Sequence, residues 1–317
     1  MAPIKLIIDT DPGVDDSMAI LAAFNSPEVE VIGLTSIYGN VPTAMATRNA
    51  LTLCHLAGRP DVPVVEGAHK SLRGAAKERI ADFVHGRDGF GNTNPPLAQA
   101  AAAPGSAAEF IVGMAGRHPG QVVVLALAAL TNVALALHLD PQLPEKLARV
   151  VVLGGAFHCN GNVNPAAEAN IYGDPDAANV VLSRLPNCWM VGLDVTHQCL
   201  MTAGQIEGMA GRGRHGTFLR DITQFYLGYH RKVYGMEAVY VHDAAALAAV
   251  LDPTLFDWHA GGVLVVTDGP AKGRTIRDEG KKAWVGGNEW QGLPPVRVAL
   301  GVRSERLVSL VLQRMMQ

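Results

Sequence analysis

Apolar, β-branched runs alternate with alanine-rich stretches along the whole chain. Runs at 5–8, 29–36, 62–65, 121–127, 149–153, 188–193, 262–266 and 296–300 predict strands. Between them, residues 16–25, 43–57, 106–117, 130–137, 175–183, 218–233, 242–250 and 304–316 predict helices. Strands that are apolar without a break are buried on both faces, and helices between them supply the cover. The expected architecture is therefore α/β, with a mostly parallel, doubly covered sheet and a Rossmann-like core. No internal repeat or low-complexity linker interrupts the pattern. The Ala/Gly/Pro patch at 98–105 reads as a loop, so a single domain over residues 1–317 is expected.

Sheets of this kind bind ligands at the carboxyl ends of their strands. Asp9 and Asp11 follow the first predicted strand, and Tyr38-Gly39-Asn40 the second. The run ending at Leu127 leads into Leu130-Thr131-Asn132. The next opens Gly154-Gly155 and an amide-rich loop from Asn160 to Asn170, and another ends at Asp194. Polar groups thus converge on one edge, as a small-molecule site requires.

Charge is near balance, with 26 basic and 29 acidic residues, and no long Lys/Arg run supplies a footprint for nucleic acid. No apolar stretch reaches the ~18–20 residues of a membrane span. The first strand begins within about four residues, leaving no room for a signal peptide. Cys54, Cys159, Cys188 and Cys199 form no CxxC pair, so buried thiols in a cytoplasmic protein are expected.

The densest chemistry lies at the start. Asp9, Asp11, Asp15 and Asp16 crowd one strand-to-helix junction around Pro12-Gly13. Like charges this close repel, and one or two acids suffice to cap a helix. A hard cation reverses the penalty, because Ca²⁺ and Mg²⁺ bind carboxylate oxygens. Far downstream, Asp243 could cap the helix it begins or supply a further acidic ligand. His242 could be a general acid or a hydrogen-bonded structural histidine. Asn162, Glu168 and Asn170 could serve a polyhydroxyl ligand or simply build an Asn-rich turn. The glycine-rich segment from His85 to Asn92 reads as a lid. Tyr226, Tyr229, Tyr234 and His230 fit an amphipathic helix packing its own core, or an aromatic surface beside a base. The GxGxxG match at 211–216 follows no strand and fails as a dinucleotide site.

With Asp9-Thr10-Asp11-Pro12-Gly13-Val14-Asp15-Asp16 in place, the chain resembles the inosine-uridine preferring nucleoside hydrolase family. The resemblance continues through Tyr38-Gly39-Asn40, Thr47-Arg48-Asn49-Ala50, His85-Gly86, Leu130-Thr131-Asn132-Val133-Ala134, Gly154-Gly155, Gly161-Asn162, Ala167-Glu168-Ala169-Asn170, Gly192-Leu193-Asp194-Val195-Thr196-His197 and His242-Asp243. That family cleaves the N-glycosidic bond of ribonucleosides with bound Ca²⁺, releasing ribose and free base. The resemblance implies that Asp11, Asp16, Asp243 and the Leu127 carbonyl ligate Ca²⁺, with water and the ribose 2′- and 3′-hydroxyls completing the shell. Asp11 would also be the base that activates the water. Asp15, Asn40 and Asn170 would hold the ribose diol, and Asn162 with Glu168 the 5′-hydroxyl. His242 would assist the departing base, and His85 would belong to a closing loop. His242 favours the branch that accepts pyrimidine nucleosides or several bases, and a homodimer or homotetramer is expected. Fixed negative charge around an oxocarbenium-like transition state fits this chemistry.

Two departures stand out. Ala169 replaces an aromatic that many relatives carry between the loop glutamate and asparagine. Leu127-Ala128-Ala129 stands where some relatives have Pro-Thr-Gly. Two other classes compete. A haloacid dehalogenase-type phosphatase also opens with a strand and an Asp-x-Asp pair, but expects Thr or Ser where this chain has Gly13. A non-catalytic ribose- or calcium-binding protein would keep the metal ligands and need neither Asp11 as base nor His242 as acid.

Overall fold

The computed structural model describes residues 2–76 and 79–317. The strands in its first half are β1 (Ile4–Thr10), β2 (Val29–Ser36), β3 (Val64–Glu66), β4 (Val122–Ala126), β5 (Leu147–Leu153) and β6 (Cys188–Val191). They are followed by β7 (Leu200–Thr202), β8 (Ala238–Tyr240), β9 (Phe256–Gly261), β10 (Val263–Val265), β11 (Thr275–Arg277) and β12 (Val296–Val302). Eight of them form one sheet in the order β3-β2-β1-β4-β5-β6-β12-β9. Every neighbouring pair is parallel except β12 with β9.

Strand pleating explains why these strands are uniformly apolar. Leu6 and Ile8 enter one core while Ile7 enters the other, and Val123 and Leu125 oppose Val122, Val124 and Ala126 in the same way. The first core is covered by helices Val14–Phe24, Thr43–Leu56, Gly216–Tyr234, His242–Leu251 and Ser304–Met315. The second is covered by Ala107–Arg117, Thr131–Leu139 and Pro175–Arg184. Truncating a residue such as Leu125, buried between both layers, would cost about 2–5 kcal/mol.

Two expectations change. Among the described residues, the run at 262–266 does not join the main sheet; its core, β10, pairs with β11 in a separate two-stranded sheet. The eighth sheet strand is instead β9, whose Phe-Asp-Trp-His-Ala-Gly sequence is half exposed and carries no apolar run. An antiparallel edge strand is sheltered on one side only, so it tolerates such a sequence. The glycine-rich segment from His85 to Asn92 is braced by its own hydrogen bonds. The Asp88 carboxylate accepts from the backbone N–H groups of Phe90, Asn92 and Asn94, and Phe90 is fully buried.

The topology places the site. The chain runs outward from β1 through β2 to β3, then returns to lay β4 on the other flank of β1. The carboxyl ends of β1 and β4 therefore flank the crevice at the switch point.

Candidate active site

Pleating separates the four N-terminal aspartates. Asp9 points away from the others and accepts from Thr35 Oγ1 at 2.6 Å and Asn132 Nδ2 at 2.7 Å. Burial pushes its pKa up to about 6 despite these two hydrogen bonds. It holds β1, β2 and the helix after β4 together. Asp11 continues the strand and accepts the backbone N–H of Asn40. After the turn, Asp16 accepts from Thr10 Oγ1 at 2.5 Å, Gly13 N at 3.0 Å and Asn40 Nδ2 at 2.9 Å. Its carboxylate thus caps its own helix while lying beside those of Asp15 and Asp243.

The carboxylate oxygens of Asp15, Asp16 and Asp243 lie within 4.8 Å of one another, and all three residues are buried. Asp243 lies in the first turn of its helix, one residue past its start, and the N-cap position is Val241. Burial, then the charge of Asp16, pushes Asp15 up to about 8. Burial, then Asp15, Asp16 and Asp11, pushes Asp243 well above the usual carboxylate range. Among the described residues, Asp15 Oδ1 and Asp243 Oδ2 are buried without a hydrogen bond. Three converging carboxylates with acceptor oxygens to spare are a donor set that fits a hard divalent cation. The grouping brings together the expected ligands Asp16 and Asp243, and adds Asp15, which the family resemblance assigns to the ribose. Asp11 lies outside this trio but near enough for its charge to act on Asp243.

A cavity of about 560 Å³ opens above the trio, within the range of small-molecule sites. Asp15, Asn40, Leu127 and Asp243 contribute to it from the strand ends. Asn162, Glu168 and Asn170 line one side. The Leu127 carbonyl accepts from Asn170 Nδ2 at 2.8 Å. Glu168 serves its loop as well as the cavity: it accepts from Asn170 N, Ile171 N and Gly155 N at 2.9, 3.1 and 3.2 Å. Asn162 Oδ1 accepts from Ala169 N at 2.9 Å, which sets the loop's return. Ala169 also lines the cavity.

The other side is aromatic. His85, Tyr226, Tyr229, His230, Tyr234 and His242 all line the cavity. His85 Nδ1 accepts from Val14 N at 3.2 Å, lies 3.7 Å from Asp15 Oδ1 and stacks on Tyr226. Tyr226 Oη reaches Asp15 Oδ2 at 3.5 Å. Burial, then the neighbouring imidazoles of His197, His230 and His85, holds the His242 pKa well below the ordinary histidine value. Tyr226 packs in the core and also borders the cavity, which Tyr229 and Tyr234 line as well. Sequence reasoning assigned no role to Thr196, His197 or Tyr240, whose side chains pack on or bond to His242. The motif containing Thr196-His197 was visible, but its contact with His242 spans 46 residues.

Comparison with known proteins places this geometry. The family model described as inosine-uridine preferring nucleoside hydrolase matches residues 6–309. The chain is 46% identical to uridine nucleosidase 1 of Arabidopsis thaliana, covering 99% of this chain and 93% of the relative. It is 36% identical to the inosine-uridine preferring nucleoside hydrolase of Leishmania major, over 80% of each chain. A solved plant nucleoside hydrolase superposes with a TM-score of 0.97 at 46% identity, covering 99% of both chains. A purine-preferring ribonucleoside hydrolase from Gardnerella vaginalis superposes with a TM-score of 0.90 at 34% identity, covering 98% of both.

Proposed function

The chain belongs to the inosine-uridine preferring nucleoside hydrolase family and is a nucleoside hydrolase, and from this premise we propose a Ca²⁺-dependent enzyme for pyrimidine nucleosides and inosine. The observation that carries the reading is one cavity with three kinds of wall. Carboxylates form its floor, amides and Glu168 one side, and imidazoles and phenols the other. A ribonucleoside has the matching parts: a diol, a 5′-hydroxyl and a planar leaving group.

Asp16 and Asp243, with Asp11, the Leu127 carbonyl or Asp15, would hold the cation. Bound there, Ca²⁺ would act as a Lewis acid that orients water and ribose hydroxyls. Asp11, aimed by the Asn40 N–H, takes the proton of the attacking water. Asp15, Asn40 and Asn170 hold the diol, while Asn162 and Glu168 meet the 5′-hydroxyl. The buried carboxylates stabilise positive charge developing on the ribosyl ring as the C1′–N bond lengthens. His242 stands on the aromatic side, where the base departs. The resemblance to relatives named for uridine supports the pyrimidine preference, and the family supports a homodimer or homotetramer.

Release of reducing sugar from uridine, cytidine, inosine and adenosine tests the reading. The assay is run after EDTA treatment and again after Ca²⁺ is added back. Ribose release that follows free Ca²⁺ and is fastest with uridine is expected. Release indifferent to EDTA would remove the metal role, and a clear preference for adenosine would move the enzyme to the purine branch.

A further inference from the structure

Thr196 ends the short helix Leu193–Thr196 and is fully buried. Its Oγ1 lies 2.8 Å from Nδ1 of His242. Among the described residues this is the hydrogen bond of the Thr196 hydroxyl, which has no other acceptor. Were Nδ1 to carry the ring hydrogen, the buried hydroxyl hydrogen would be left without an acceptor, which is costly. The hydroxyl therefore donates to Nδ1, and the ring hydrogen sits on Nε2. Thr196 lies off the cavity while His242 lines it, so the Nε2 edge is the one turned to the ligand. Tyr240 and His197 pack against the imidazole, with ring centroids 5.4 Å and 5.9 Å away, and resist its reorientation.

We propose that Thr196 is a positioning residue that fixes His242 as the Nε2–H tautomer, so that His242 meets the departing base as a neutral hydrogen-bond donor. This rests on the placement of His242 beside the base in the proposed function. As the C1′–N bond breaks, its electron pair passes to the base, and in uracil the charge spreads onto the ring oxygens. The Nε2–H group donates a hydrogen bond to that charge and keeps its proton. The water oxygen bonds to C1′, its proton passes to Asp11, and the released base takes a proton from solvent. No imidazolate forms, so the step closes without a second acid. A neutral imidazole used in this way as an electrophile is an established catalytic device.

The test begins with the wild-type protein. ¹⁵N NMR of the His242 ring is expected to show a protonated Nε2 and an unprotonated Nδ1; a proton on Nδ1 would overturn the proposal. Thr196→Val keeps the shape of the side chain and removes the donor. Its kcat for uridine is expected to fall about 10- to 100-fold, the usual cost of losing an orienting partner, with KM nearly unchanged. The loss on p-nitrophenyl riboside, whose leaving group needs little help, is expected to be at least about tenfold smaller. Thr196→Ser is expected to restore the uridine rate. Equal losses on both substrates, or no rescue by serine, would refute the positioning role. His242→Ala separates the two readings: equal losses there would unseat His242 from the base, whereas the NMR result judges Thr196 independently.

Discussion

Asn170 spends its side-chain amide on two strand-end carbonyls, donating to Leu127 at 2.8 Å and to Leu153 at 3.1 Å. The bonds clamp the ends of β4 and β5 beneath the cavity that Asn170 lines. Asn170→Asp would set a carboxylate against two carbonyl oxygens. A loss of about 1–3 kcal/mol in denaturant-measured stability is expected, together with a rise in KM for uridine. Unchanged stability and KM would dissolve the clamp.

Gly39 carries no positive φ, yet a Cβ there would collide with the Asp11 carboxylate. Gly39→Ala is expected to displace Asp11 and cut kcat strongly while the protein stays folded. Circular dichroism should match the wild type. A variant with full activity would mean that Asp11 can move without consequence.

Asp11→Asn keeps an oxygen for the Asn40 N–H and removes the base. A fall in kcat of about 10²–10⁴-fold is expected, the span typical of general acid–base groups. Thermal midpoint should change little. Activity within tenfold of wild type would take the base assignment from Asp11.

The raised carboxylates make the metal-free protein sensitive to alkali. Asp15, pushed up to about 8 by burial and by Asp16, holds its proton more tightly folded than unfolded. The stability it lends is therefore full at acidic pH and is lost as pH rises toward and through about 8. Asp243 acts in the same direction. After EDTA treatment, the melting temperature is expected to fall between the ordinary value of 3.8 and about 8, where the unfolded chain has lost the Asp15 proton and the folded one keeps it, and to level off above that. Ca²⁺ should raise it most at the alkaline end, because binding displaces protons. A metal-free protein whose midpoint is flat over this range would contradict the burial of these charges.

Periodicity alone was enough to read the doubly covered parallel sheet. Runs such as Val122–Ala126 are apolar at every position because both faces are buried, and that demand is written locally. The helix expected at 106–117 forms at Ala107–Arg117, its start capped by the Ser106 side chain. The crowd of aspartates before and after Pro12-Gly13 also announced itself, since local charge density needs a cation or a cost. Other features depend on partners distant in the chain. β9 carries no apolar run and is a strand only because the exposed edge of β12 accepts it. Asp9 is as acidic as its neighbours in sequence, but the pleat turns it to Thr35 and Asn132, and the fold selects Asp15, Asp16 and Asp243 instead. Nor could spacing reveal that Thr196 meets His242, or that Tyr226 reaches Asp15 across 211 residues. Local physics decides which segments become strands and helices, whereas contacts between segments exist only after the strand order brings them to one edge.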